Sequence, residues 1–347
     1  MSAVPRGLLT TSVGSLPKPD YLLAARTRRA RGEISQAELD ELSKRATQEW
    51  IQFQEQIGID ILVDGEMYRG DMVAYFAEHL IGFEEGGLVR SYGNRYYRKP
   101  IATGPVTRPW PITVDWWRYA QSLTERPVKG MLTGPYTICD WSFNEYYDSR
   151  EDMVMALAEV VAEEARDLEA AGCRYIQIDE PAVSTRMDEL DLAIRGLGVA
   201  TEGLTATTIT HICYGDFHKA YPKILELPVD VIDLELANSN YDLLEDFRRH
   251  PFTKSIGLGV VDSHSGRTES VEEVVSGIRR ALELIPPERV FVDPDCGLKT
   301  RTVDETEAKM RVVVQAVRQV RDELGIGDEL PDGKPTEGRH RGAPVPA

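Results

Sequence analysis

The chain has 347 residues, of which 42% are apolar and 28% charged, with a formal charge of −17. That length is ample for a full core and lies within the range of α/β barrels with insertions. The negative balance argues against nucleic acid and anionic membrane as the main partner, and no apolar run approaches a membrane span, so a small-molecule substrate fits better.

In chain order, short β-branched runs alternate with amphipathic stretches. A strand is expected over Leu8 to Ser15, a helix over Ser35 to Ile57 with Ser35 and Glu38 as a capping box, and a second strand over Asp60 to Glu66. Residues 83–111, rich in Gly, Tyr and Arg, are too long for a plain connection. Within them, Arg90 to Arg98 is expected to form a β-hairpin lid over the mouth of the fold.

Strands follow at Val128 to Pro135 and Arg174 to Pro181, with a helix at Ser149 to Ala171 between them. The remaining strands are Thr205 to Cys213, Asp230 to Ala237, Ser255 to Asp262 and Arg289 to Gly297. Helices are expected at Phe217 to Leu225, Ser270 to Leu284 and Val303 to Leu324. Eight strands alternating with helices imply a parallel sheet closed into a (β/α)8 TIM barrel, with an open doubly wound sheet as the alternative. Residues 1–324 then form one catalytic domain. The Pro, Gly and charged residues of 325–347 suggest a disordered tail. The first residues, MSAVPRGLLTTSVGS, lack the pattern of a signal or transit peptide, so a cytoplasmic location is expected.

Active sites of such barrels gather at the C-terminal strand ends. Polar residues recur there: Ser15, Glu66, Asp179, Glu180, His211, Cys213, Glu235, Asp262, His264 and Cys296. His211 and Cys213, two apart on a strand, point to one face. With Glu235 from the next strand and Cys296 from the last, they make a metal-ligand set whose N, S and O donors favour Zn2+ over Mg2+ or Ca2+. Such an electron-rich zinc suits thiol activation better than hydroxide formation. Taken alone, a His-x-Cys pair also fits a core role, and Asp179-Glu180-Pro181 also fits an acidic helix cap. Cys139 and Cys173 lack a partner motif and read as inert.

Several segments, in order over residues 8 to 320, resemble the catalytic C-terminal half of cobalamin-independent methionine synthase. They are Val13-Gly14-Ser15, Asp64-Gly65-Glu66 followed by Asp71-Met72-Val73, Ser91-Tyr92-Gly93-Asn94-Arg95, and Gly134-Pro135 with Trp141-Ser142-Phe143. Gln177-Ile178-Asp179-Glu180-Pro181, His211-Ile212-Cys213 and Asp295-Cys296-Gly297-Leu298-Lys299-Thr300-Arg301 complete the match.

The resemblance implies zinc-dependent methyl transfer to homocysteine, with His211, Cys213, Glu235 and Cys296 holding Zn2+. It also implies that homocysteine lies against Val13, Gly14 and Ser15, with its amino group between Glu66 and Asp179. His264 becomes the proton donor with Asp262 orienting it, and Arg95, Tyr96 and Trp141 the contacts of the methyl donor. Two departures stand out: the full-length family carries a second barrel that helps hold folate, and Thr185 occupies a position where a glutamate would meet the pterin. The expected donor is therefore methylcobalamin or a corrinoid protein, or else 5-methyltetrahydrofolate. The competing readings are a zinc alkyltransferase acting on another thiol such as coenzyme M, and a zinc-stabilised scaffold without activity.

Overall fold

The structure, a computed structural model, describes residues 7–91 and 95–327, without the side chains of residues 91 and 95. The expected tail from residue 328 onward lies outside the described residues. Seven parallel strands form the central sheet: β1 (Leu9–Thr10), β2 (Gly130–Thr133), β3 (Tyr175–Asp179), β4 (Thr207–Ile212), β5 (Val231–Leu234), β6 (Ser255–Gly259) and β7 (Val290–Asp293). Their order is β1-β7-β6-β5-β4-β3-β2, so chain neighbours are sheet neighbours from β2 through β7.

The expected second strand, Asp60 to Glu66, is reduced to one parallel bridge between Leu62 and Val128. Its backbone still touches both sheet edges: Asp60 and Ile61 donate to the Thr10 carbonyl, Leu62 donates to Pro127, and Lys129 donates back to Leu62. These bonds join β1 to β2 and close the ring of eight expected units. Side chains take over the rest of the ladder. The Gln54 amide both donates to the Val63 carbonyl and accepts from its N–H, each at 2.9 Å. The Asp60 carboxylate accepts from the Thr10 N–H at 2.8 Å. A buried backbone must be paired, but a side chain serves as well as a strand.

The helices start where their caps predict. Ser35 and Glu38 form a reciprocal capping box on Gln36–Ile57, and Ser270 with Glu273 and Thr302 with Glu305 repeat it on Val271–Leu282 and Val303–Leu324. Ser149 caps Arg150–Ala170. The helix expected over Phe217 to Leu225 is broken into Phe217–Ala220 and a 3-10 turn at Lys223–Glu226, because Pro222 has no N–H to continue it. The segment around 83–111 folds as Ile81–Glu84 paired antiparallel with Ile101–Thr107, and within it Leu88–Ser91 pairs with Arg95–Arg98. The pairing is antiparallel as expected but starts two residues earlier.

Inside the ring, Leu9, Ile61, Ile209, Val231 and Phe291 pack as an apolar layer. Polar side chains also lie buried within the ring, on the same strands. Lys129, 1% exposed, donates to the Ser12 carbonyl at 2.7 Å and to Gln177 Oε1 at 2.5 Å, and Asp233, Asp293 and Asp179 act electrostatically on its ammonium. Burying these charges is costly unless they are paired, and the strand ends above them carry the site. No described helix is long and apolar enough to cross a membrane.

Candidate metal centre and active site

β4 delivers His211 and Cys213 to one face, and the turn after β7 delivers Cys296. Donor atoms of these three residues all lie within 4.8 Å of one another. Among the described residues this is the one His/Cys/Asp/Glu cluster compact enough to hold a metal ion. His211 is 3% exposed, and neither ring nitrogen has a hydrogen bond of good geometry, although Nδ1 lies 3.2 Å from Asp233 Oδ2. The hydrogen bond between the two thiols holds Cys296 well below the usual thiol range and pushes Cys213 well above it. Orphaned imidazole nitrogens beside two cysteine sulfurs form a soft donor set that fits zinc.

Glu235 stands next to this cluster but is engaged elsewhere. Its Oε2 accepts the N–H of Tyr214 at 3.0 Å, and its Oε1 lies 3.1 Å from His264 Nε2. The structure thus brings together three of the four expected ligands, and the fourth is held by the backbone N–H of Tyr214, the residue after Cys213. His264 is gripped from both sides, because its Nδ1 lies 3.0 Å from the Tyr214 hydroxyl. The hydrogen bond to Glu235 raises its imidazole above the usual value. Asp262 bonds the His264 backbone N–H at 2.7 Å rather than the ring, so the ring's orientation comes from Glu235 and Tyr214. Tyr214 carries a left-handed backbone, φ 58°, a strained conformation for an aromatic residue and a signal invisible in the sequence.

The expected amino-acid contacts lie beside the cluster. The Val13 carbonyl accepts from Gln177 Nε2 at 2.8 Å, and the same amide donates to Asp179 Oδ1 at 2.7 Å. Lys129, Gln177 and Asp179 therefore form one chain of bonds that fixes the Asp179 carboxylate, and burial pushes that carboxyl up to about 7. Gly14 has φ +153°, and a Cβ there would sit 2.5 Å from Met131 Cε and 3.1 Å from Glu66 Oε1. Ser15 packs on Gly297, where a Cβ would fall 2.0 Å from its Oγ.

Glu66 also has a left-handed backbone, φ 58°, following Gly65 at φ 72°. Its carboxylate pairs with Arg69 Nη2 at 2.5 Å, a residue 1% exposed. Burial opposes ionisation, but Arg69, then Lys299 and Lys18, hold Glu66 below the usual carboxylate range. Glu180, by contrast, turns away from the site and caps the Pro135–Asp140 helix through Tyr136 N–H and Thr137 N–H and Oγ1–H. Of the acidic pair, Glu180 is thus the helix cap. Cys139 and Cys173 lie outside the cluster, and burial pushes both thiols up to about 12.

The comparisons with known proteins decide the family. Residues 8–319 match a family model described as the catalytic domain of cobalamin-independent synthase. The chain belongs to that family. A 5-methyltetrahydropteroyltriglutamate–homocysteine methyltransferase of Mycobacterium leprae is 44% identical over 326 residues, covering 90% of this chain and 43% of that protein. A namesake from Streptomyces griseus is 43% identical, covering 92% and 43%. The chain therefore spans less than half the length of these curated relatives. A solved B12-independent methionine synthase from Shewanella, in complex with selenomethionine, superposes with a TM-score of 0.82 at 30% identity, covering 92% of this chain and 99% of that one.

Within this family a methylcobalamin donor or a corrinoid partner finds no support, because its description is cobalamin-independent. Of the expected donor contacts, Tyr96 is 67% exposed on the hairpin, and Trp141 ends the Pro135–Asp140 helix with its carbonyl accepting from the Tyr97 hydroxyl at 3.1 Å. The Arg95 side chain lies outside the described residues. Thr185 spends its hydroxyl on the Ala182 carbonyl at 3.1 Å, within its own 3-10 turn.

Proposed function

We propose that this chain transfers a methyl group to the thiol of homocysteine, giving methionine, with zinc bound by His211, Cys213 and Cys296 and with Glu235 as the fourth, exchangeable ligand. The observation that carries this reading is the compact His-Cys-Cys cluster at the strand ends, flanked by Ser15, Glu66 and Asp179. Support also comes from the names of the Mycobacterium leprae and Streptomyces griseus relatives and from the selenomethionine bound to the Shewanella protein. The relatives' names favour a 5-methyltetrahydropteroylglutamate donor.

Bound zinc would keep the substrate sulfur as a thiolate at neutral pH. Glu66 and Asp179 take the substrate ammonium through charge-assisted hydrogen bonds, Asp179 being held in place by Gln177. The sulfur–methyl bond forms as the methyl–nitrogen bond of the donor breaks, and the His264 imidazolium gives its proton to the departing nitrogen. Glu235 and Tyr214 aim that ring. The hairpin with Tyr96, together with Trp141, would serve as the lid that contacts the donor. Aligning donor and acceptor supplies much of the remaining rate.

The test is a donor screen with zinc-loaded protein and homocysteine, following methionine. The donors are 5-methyltetrahydropteroylglutamate, its triglutamate and methylcobalamin. Methionine from a pteroylglutamate donor is the expected result. Transfer to coenzyme M but not to homocysteine, or no transfer from any donor, overturns the reading.

A further inference from the structure

Glu235 and Tyr214 aim the His264 ring, but neither holds the backbone that carries it. His264 lies in the loop between β6 and the Val271–Leu282 helix. The start of that loop is pinned: Val260 N–H donates to the Asp293 carbonyl at 2.9 Å, and Asp295 N–H donates to the Val261 carbonyl at 3.0 Å. Beyond Val261 the ladder stops, and among the described residues no backbone-to-backbone hydrogen bond holds 262–269. Such a segment takes its position from side chains.

Two side chains supply it. The Glu269 carboxylate divides its oxygens: Oε1 accepts the Asp262 N–H at 3.0 Å, and Oε2 accepts from Lys309 Nζ at 2.9 Å. The same ammonium donates to the Arg267 carbonyl. Asp262 in turn accepts the His264 N–H at 2.7 Å. A chain of bonds therefore runs from the Val303–Leu324 helix, through Lys309, Glu269 and Asp262, to the backbone of His264. Gly266 lies against the first turn of that helix, where a Cβ would fall 2.6 Å from Glu305 Oε1.

Packing alone does not call for a lysine at 309. It shares the buried face of its helix with Met310, Val313, Val317 and Val320, and its side chain is 0% exposed. An ammonium in that stripe is costly unless fully paired, a cost that an apolar residue would avoid. Its bonds go to the loop, to Glu269 and the Arg267 carbonyl. Local rules are broken in this way mostly at functional sites.

We propose that Lys309 and Glu269 are positioning residues for methyl transfer: their ion pair sets the backbone of the His264 loop, and so the place from which the ring delivers its proton. The inference rests on the reading of His264 as proton donor. A carboxylate suits position 269 because its two oxygens accept from two donors at once. An amide has one acceptor oxygen, and its nitrogen would face the Lys309 ammonium or the Asp262 N–H as a second donor. Glu269→Gln is therefore a disruptive change of almost no volume.

The test uses zinc-loaded protein and reads zinc content, methyl transfer from 5-methyltetrahydropteroyltriglutamate to homocysteine, and nitrogen–proton correlation spectra of the imidazoles, with the His264 signals assigned from His264→Gln. Lys309→Met and Glu269→Gln should each keep their zinc, hold the KM for homocysteine within about twofold and lower kcat about 10–100-fold. In both, the His264 signals should shift or broaden, while those of His79, whose Nδ1 lies 2.7 Å from the Tyr75 carbonyl, stay in place. The double variant Lys309→Met/Glu269→Gln should regain most of kcat, because the amide then serves Asp262 without a competing ammonium. Added to His264→Gln, Lys309→Met should cost less than about twofold more, since residues acting as a unit are not additive.

Unchanged kcat and unchanged His264 signals in both single variants overturn the proposal. So does a kcat loss that persists in full without His264, or one that comes with lost zinc. If Lys309→Met folds poorly, Glu269→Gln, which keeps the shape of the side chain, decides alone. If wild type forms no methionine from any donor, the methyltransferase reading falls, and the His264 signals still decide whether the ion pair holds the loop.

Discussion

His211 and Asp233 are partners across the parallel ladder of β4 and β5, with Nδ1 3.2 Å from Oδ2 and both side chains buried. A carboxylate on the Nδ1 side leaves the other ring nitrogen for the cluster with Cys213 and Cys296. A carboxylate behind a ligating imidazole fixes its tautomer and raises its basicity. Asp233→Asn is therefore expected to weaken zinc retention about 10–100-fold, measured by competition with a chromogenic chelator. Unchanged affinity would show that Asp233 serves only packing.

Gly257, the register partner of Asp233 on β6, gives a second handle on the same pair. A Cβ there would sit 2.6 Å from Asp233 Cβ and 2.8 Å from its Cα, so the neighbour has no flexible end with which to yield. Gly257→Ala should cost about 1–3 kcal/mol in denaturant unfolding and lower zinc affinity with it. An alanine variant with wild-type stability would contradict this account of the close approach.

The roles of the ligands and of His264 separate by metal content. Cys296→Ser should lose zinc and methyl transfer together. His264→Gln should keep its zinc while kcat falls by about 10²–10⁴. A fully active, zinc-replete Cys296→Ser protein refutes the ligand assignment.

Glu180 is buried and accepts three hydrogen bonds at the start of the Pro135–Asp140 helix, and the backbone of Gly134 approaches so closely that a Cβ would fall 2.2 Å from the carboxyl carbon. Glu180→Ala leaves two N–H donors and a hydroxyl without their acceptor, for a loss of about 2–4 kcal/mol. Glu180→Gln, which keeps an acceptor, should lose less. Equilibrium unfolding of the two variants ranks them.

On the surface, His218 sits between Asp246 and Asp242, and the hydrogen bond to Asp246 chiefly raises its pKa above 6.5. The folded state thus favours the imidazolium. Its contribution is fully present below the unfolded value of 6.5 and disappears as pH rises through the folded value. The side chain is 47% exposed, so the effect is ~0.5 kcal/mol or less. The stability difference between wild type and His218→Ala should be larger at pH 6 than at pH 9; a difference independent of pH would mean the ion pairs contribute nothing.

Local order was legible in the residues themselves. Ser35 with Glu38 and Thr302 with Glu305 cap their helices through contacts three residues apart, and the alternation of β-branched runs with amphipathic stretches follows from backbone periodicity. His211 and Cys213 had to share a face because a strand repeats every two residues. Tertiary structure decided everything that depends on contacts between distant loops. Gln54 substitutes for a strand partner at Val63, Asp233 stands behind His211, and Tyr214 rather than Asp262 holds the His264 ring. Ser15 meets Leu298 across most of the chain, the Ser15 carbonyl accepting from the Leu298 N–H. No periodicity encodes such a meeting, because it arises only when the barrel closes and the strand ends converge.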